Sequence, residues 1–142
     1  MEGSLAYLRT LLCRRGLDEM RHDAFTFQVA MAVLASNRPR VMYLALGETD
    51  DWAHDGRYDR VLEAYARSDR YLSQLWNWLE SQPEYKGRTH VLITTDHGRG
   101  ATKEDWADHG RKVPAAETTW MAAIGPGVAP LGVRRSITVT TS

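Results

Sequence analysis

Val91-Leu92-Ile93-Thr94-Thr95-Asp96-His97-Gly98 decides how the rest of the sequence is read. An apolar, β-branched run leads straight into an acid, an imidazole and a glycine. β-Branched residues suit a pleated, half-buried backbone, so a strand is expected over about residues 89–95. A buried strand that stops on Asp-His-Gly sets two metal-type side chains where the chain leaves a sheet. Gly98 lets the backbone turn away sharply. The alternative is a turn with a helix cap, and these residues alone weigh the two equally.

Upstream, Val41-Met42-Tyr43-Leu44-Ala45-Leu46 is apolar throughout. That suits a strand covered on both faces, as in a parallel sheet. Gly47 breaks it, and residues 48–54 follow as a polar loop. Between the two expected strands lies the clearest helical signal of the chain. Tyr58, Val61, Leu62, Tyr65, Leu72, Leu75, Trp76 and Leu79 form one apolar stripe at helical spacing, closed by Gln82-Pro83. Asp69, on or beside that stripe, is expected as a buried acid bonded to backbone or arginine. Strand, helix, strand is a βαβ unit with a right-handed crossover and parallel strands. The fold class is therefore α/β with a mostly parallel sheet and flanking helices. Ligands of such sheets bind at the carboxyl edge of the strands. Residues 48–54 and 96–100 should open together onto that edge.

The flanks read less sharply. Leu5, Leu8, Leu11 and Leu12 predict a helix over residues 4–15, stopped by Gly16. Asp18 can cap a second helix over about residues 19–36. Phe25, Phe27, Val29, Met31, Val33 and Leu34 make that helix apolar on more than one side, which predicts deep burial. His22-Asp23 reads as a charge pair near its N-terminus, and Asn37-Arg38-Pro39 ends it. A third strand is expected over residues 117–124, then a turn at Gly125-Pro126-Gly127. Residues 137–141 have strand composition. His90, opening the Val91 strand, is expected to be exposed.

A chain of 142 residues is the size of one domain with a core of its own. Lysine plus arginine and aspartate plus glutamate both number 18, so net charge gives no argument for nucleic acid or an anionic membrane. Any anion site must be local. Cys13 is the only cysteine, which excludes an internal disulfide and a cysteine-based zinc finger. Met1-Glu2-Gly3-Ser4 shows no basic region followed by an apolar run. No apolar stretch approaches the roughly 20 residues of a membrane span.

Two further features carry chemistry. Asp50 and His54 stand four residues apart on a turn that can open a helix, and can converge on one cation. His109-Gly110 puts an imidazole in a long polar loop. Each is weak alone: the first reads more readily as a solvated loop, the second as a surface histidine. Together Asp50, His54, Asp96, His97 and His109 form a set of oxygen and nitrogen donors without thiolate. That set suits zinc, or manganese if oxygen dominates. More than four ligands suggests two divalent ions, a pairing that can clamp both the attacking and leaving oxygens of a phosphoryl transfer. Arg57, Arg99, Lys103 and Arg111 lie near the expected edge. Arg99 and Arg111 are the substrate-binding candidates, since a guanidinium fits phosphate or sulfate with two parallel bonds. Trp52 and Trp106 flank the ligand segments, either walling a pocket or packing the loops.

In this order, Asp50-x-x-x-His54, Asp96-His97-Gly98 and His109-Gly110 resemble the alkaline phosphatase superfamily of metallohydrolases. That group includes phosphatases, phosphodiesterases, sulfatases and phosphomutases. The resemblance runs from the strand at Val41 to the one ending at Ile124. It implies a large α/β sandwich, of which this chain holds a part. It also implies that Asp50, His54 and His109 hold one metal while Asp96 and His97 help hold a second. The activity implied is two-step hydrolysis of a small anionic phosphate or sulfate ester through a covalent ester of a serine or threonine. Family members carry that nucleophile, and an earlier Asp ligand, just after the first core strand. Here Ser4, Thr10 and Thr26 fall on expected helices, so no catalytic nucleophile is assigned. The expectation is the C-terminal portion of a longer enzyme, inactive alone, with a sheet edge open to pairing with another chain. The alternatives are a non-catalytic metal-binding or interaction module derived from that fold, and a phosphomutase-type isomerase.

Overall fold

A computed structural model of the chain describes residues 22–133. The expected helix over residues 4–15, Cys13, the Asp18 cap and the strand-like residues 137–141 lie outside them. The described residues form three helices, α1 (Asp23–Asn37), α2 (Glu48–His54) and α3 (Tyr58–Ser81), then strands β1 (Val91–Thr94) and β2 (Met121–Ile124). The class is α/β. No helix among the described residues is long and apolar enough to cross a membrane.

α1 buries Asp23, Phe27, Ala30 and Leu34. These positions repeat at three and four residues, so one face is covered. The expected burial on several sides is not met, because Phe25 points away from that face and is 64% exposed. Phe27 stacks on Tyr71 of α3 with ring centroids 4.4 Å apart. Burying such a side chain stabilises by about 1.5–3 kcal/mol. Arg38 ends the helix in the left-handed region, φ 48°, and its N–H donates to the Leu34 carbonyl. The next residue is Pro39, which cannot continue the pattern.

α3 follows the expected stripe and stops at Gln82, before Pro83. Its buried residues are Val61, Ala64 and Leu79, while Tyr58, Leu62 and Tyr65 are more than half exposed. Asp69 is exposed rather than buried. It stands five residues past Ala64, which carries it about 140° round the helix from that buried contact.

The sheet departs from expectation. β1 pairs with β2, antiparallel, with Val91 opposite Ile124 and Thr94 opposite Met121. This is the only sheet among the described residues, so the parallel pairing is not formed there. Residues 41–46, expected as its first strand, take part in no ladder. Val41 and Tyr43 are 88% and 90% exposed, because no second layer among the described residues lies over that run. β1 alternates between half-buried and exposed residues, with Leu92 outward at 67%. The turn after β2 forms as expected: Val128 N–H donates to the Gly125 carbonyl at 3.1 Å.

Candidate metal centre

Residues 48–54, expected as a loop, are the helix α2. Seven residues are too few for a helix to hold itself in water. Two contacts hold this one. Its own Ala53 is fully buried. At its start, the Asp23 carboxylate accepts from Gly47 N–H at 2.7 Å and Glu48 N–H at 3.3 Å. A carboxylate there satisfies orphan donors and complements the helix dipole. The four-residue spacing puts Asp50 and His54 on one face, with His54 Nε2 3.5 Å from Asp50 Oδ2.

His97 arrives from the end of β1. Its Nδ1 lies 2.8 Å from the Gly98 carbonyl. A carbonyl only accepts, so Nδ1 carries the proton and Nε2 faces the cluster with its lone pair free. Nε2 is 3.6 Å from Asp50 Oδ1. Asp96 sits at the rim with its side chain 89% exposed and Oδ1 3.8 Å from His97 Nε2. Gly98 serves close approach rather than an unusual turn. Its N–H donates to the Ala116 carbonyl at 2.7 Å, and a Cβ there would lie 2.4 Å from Thr118 O and 2.7 Å from Ala115 O.

The polar excursion after Gly98 folds back on itself. Gly100 N–H donates to Asp108 O at 3.2 Å, and Arg99 Nη1 donates to Ala107 O at 2.8 Å. Trp106 packs edge-on against Tyr58 at 5.5 Å, and Arg60 lies over the Trp52 ring at 6.0 Å. Both tryptophans therefore pack against α3. His109, carried at the end of this excursion, stacks on the His97 ring with centroids 3.8 Å apart. Its Nε2 lies 3.0 Å from His54 Nε2 and 3.8 Å from Asp50 Oδ1.

Three chain segments thus converge. Asp50, His97 and His109 form the compact donor group, with His54 adjoining and Asp96 at the edge. Bonds of about 2.0–2.1 Å to a tetrahedral ion put its ligand atoms about 3.3–3.4 Å apart. The observed 3.0–3.8 Å separations bracket that spacing. His97, bonded through Nδ1 to a carbonyl, has the outer partner usual for metal-bound imidazoles. Burial pushes His109 below the ordinary imidazole range, and its neighbours His97, His54 and Arg99 push it further. A neutral imidazole is the ligating form. The donor set fits a divalent cation.

The remaining sequence candidates separate. Arg99 enters the cluster: its guanidinium meets the Asp50 carboxylate and donates to the Asp50 carbonyl at 3.1 Å. Burial lowers its pKa. Arg111 and Lys103 are exposed. Arg57 pairs with Asp59 through two bonds, at 3.0 and 2.8 Å. His90 is exposed, as expected, and bonds to Pro126 O at 2.9 Å. Sequence reading missed Glu48, which is 4% exposed. Glu48 accepts from Arg67 Nη2 at 2.5 Å and from Asp23 N–H at 3.1 Å, and lies 3.1 Å from His22 Nδ1. No local pattern marks it, since its partners stand 19 to 26 residues away.

Among known protein families, the model described as type I phosphodiesterase / nucleotide pyrophosphatase matches residues 8–136. No curated protein and no solved structure matches the chain.

Proposed function

The chain belongs to the type I phosphodiesterase/nucleotide pyrophosphatase family of the alkaline phosphatase superfamily, and from that premise we propose that it carries the metal-binding half of a phosphate-ester hydrolase site. The observation that carries the reading is the convergence of Asp50, His54, His97 and His109 donor atoms from α2, the β1 exit and the following loop. We assign Asp50, His54 and His109 to one divalent ion, and Asp96 with His97 to a second. Zinc suits the nitrogen-rich set, with manganese the alternative. When bound, such ions stabilise charge on the phosphoryl oxygens and lower the pKa of an oxygen nucleophile. The residues of this chain orient that centre. His97 keeps its Nε2 free by donating Nδ1–H to Gly98 O. Arg99 stands beside Asp50, where a guanidinium can meet an anionic ester.

The family acts on nucleotide and phosphate ester substrates, so a phosphodiester is the favoured substrate class. The mostly parallel sandwich of the superfamily is proposed as the frame in which this piece functions, with the nucleophile supplied outside the described site. The test is zinc and manganese titration of the chain, followed by assays on an aryl phosphodiester, an aryl phosphate and an aryl sulfate. Zinc uptake is expected, with phosphodiester cleavage far below that of a nucleophile-bearing enzyme and no sulfatase activity. Zinc uptake with no turnover of any ester would favour the non-catalytic metal-binding module. A folded chain that takes up neither metal would sink the reading.

A further inference from the structure

Two helix N-termini cap each other across the fold. Asp23 is the first residue of α1, and its N–H donates to the Glu48 carboxylate at 3.1 Å. Glu48 is the first residue of α2, and its N–H donates to the Asp23 carboxylate at 3.3 Å. The same Asp23 carboxylate takes Gly47 N–H at 2.7 Å. A capping box ordinarily exchanges such bonds within four residues of one helix. Here the exchange joins two helices 25 residues apart in sequence. Both side chains are shut away from solvent, Asp23 at 2% and Glu48 at 4% exposure. Two buried carboxylates side by side need a cation, and Arg67 of α3 supplies it through Glu48 Oε2.

This arrangement sits immediately behind the metal-type residues. Asp50 is two residues beyond Glu48, within the first turn of α2, and His54 closes the same helix. A helix this short frays from an uncapped start. Fraying would carry the Asp50 carboxylate out of reach of His97 and His109. We infer that Asp23 and Glu48 are the positioning pair of the metal centre: their crossed caps hold α2 in the attitude that aims Asp50 and His54 at the bound cation. The inference rests on the metal-site reading above. Neither residue touches the cation. Both act through the placement of Asp50.

Zinc affinity tests it, measured on the full chain by competition with a chromogenic chelator, with helix content and thermal midpoint recorded alongside. The variants are Asp23→Ala, Asp23→Asn and Glu48→Gln. Leu34→Ala, a buried side chain on α1 with no part in the crossed caps, is the control. Asp23→Ala should lose about 10–100-fold in zinc affinity, as outer partners of metal ligands do. Asp23→Asn keeps one acceptor for Gly47 N–H and should recover part of that loss. Leu34→Ala should keep zinc affinity within about threefold while lowering the midpoint, since a core cavity costs stability. Equal losses in Asp23→Ala and Leu34→Ala would overturn the inference, as would a folded Asp23→Ala that binds zinc like the parent. If Asp23→Ala does not fold, Glu48→Gln and Asp23→Asn against Leu34→Ala decide in the same way. A parent chain that takes up no zinc would instead overturn the metal reading, and this inference with it.

Discussion

The Nε2 atoms of His54 and His109 lie 3.0 Å apart although 55 residues separate them. Two imidazole nitrogens at that distance must share a proton or a cation, because bare lone pairs repel. Replacing either ring by alanine should therefore weaken zinc binding by more than the roughly 10–100-fold typical of an outer-shell change. His90→Ala should leave zinc affinity unaltered, because that ring is exposed and bonded to Pro126 O. The chelator-competition titration separates these outcomes. Equal affinities in all three variants would remove His54 and His109 from the site.

Gly98→Ala should destabilise the fold and misplace His97 together. A Cβ there would sit 2.4 Å from Thr118 O and 2.7 Å from Ala115 O, both backbone atoms with little freedom to yield. Overpacking of this kind costs about 1–3 kcal/mol. Urea unfolding should show the loss as a lower midpoint, with zinc affinity falling as well. An unchanged midpoint would mean that the loop carrying Ala115 and Thr118 moves aside freely.

Arg99→Ala should lower the unfolding free energy by about 1.5–3 kcal/mol, the range for hydrogen bonds to charged groups. One guanidinium ties Ala107 O, two residues before His109, to the Asp50 carboxylate and carbonyl. Lysine cannot span both ends, so Arg99→Lys should recover only part of the loss. Equal stability of Arg99→Ala and the parent in urea would show that the loop is held by its backbone bonds alone.

Asp59 should titrate at about 2, because its hydrogen bonds to the Arg57 guanidinium hold the carboxyl below its ordinary value of 3.8. A depressed carboxyl stabilises the fold at pH above its unfolded value, and that contribution disappears as pH falls through the folded one. The window here is therefore about pH 4 down to pH 2. Side-chain carboxyl NMR against pH measures the shift directly, and Asp59→Asn should flatten the fall in stability across that window. An Asp59 carboxyl titrating near 3.8 would show that the Arg57 pair does not persist in solution.

Local patterns carried much of the fold and the order of the site. The stripe from Val61 to Leu79 identified α3, and Pro39 and Pro83 marked where helices stop. Asp50, His54, Asp96, His97 and His109 stand out as candidate donors in the sequence because the donor chemistry of a side chain needs no neighbours to be recognised. Their meeting place was expected from parallel strand ends. Among the described residues it arises instead from a short capped helix, a strand exit and a folded-back loop. An apolar run such as residues 41–46 reports a tendency to be covered and says nothing about which strand it joins. α2 escaped notice because its cap comes from Asp23, and no window around Glu48 contains that residue. Gly98 was recognised as necessary for turning, whereas its neighbours are carbonyls brought in from the far end of the loop.

The crossed caps of Asp23 and Glu48 also make one opening event out of two. Fraying at the start of either helix breaks the bonds of both, since each residue donates to and accepts from the other. The amides of Asp23, Gly47 and Glu48 should therefore exchange their hydrogens at one shared rate, set by separation of α1 from α2. On the proposed metal-site reading, release of a cation and undocking of α1 then become linked steps. Filling the metal centre should slow amide exchange at Asp23, a residue on a different helix from Asp50 and His54.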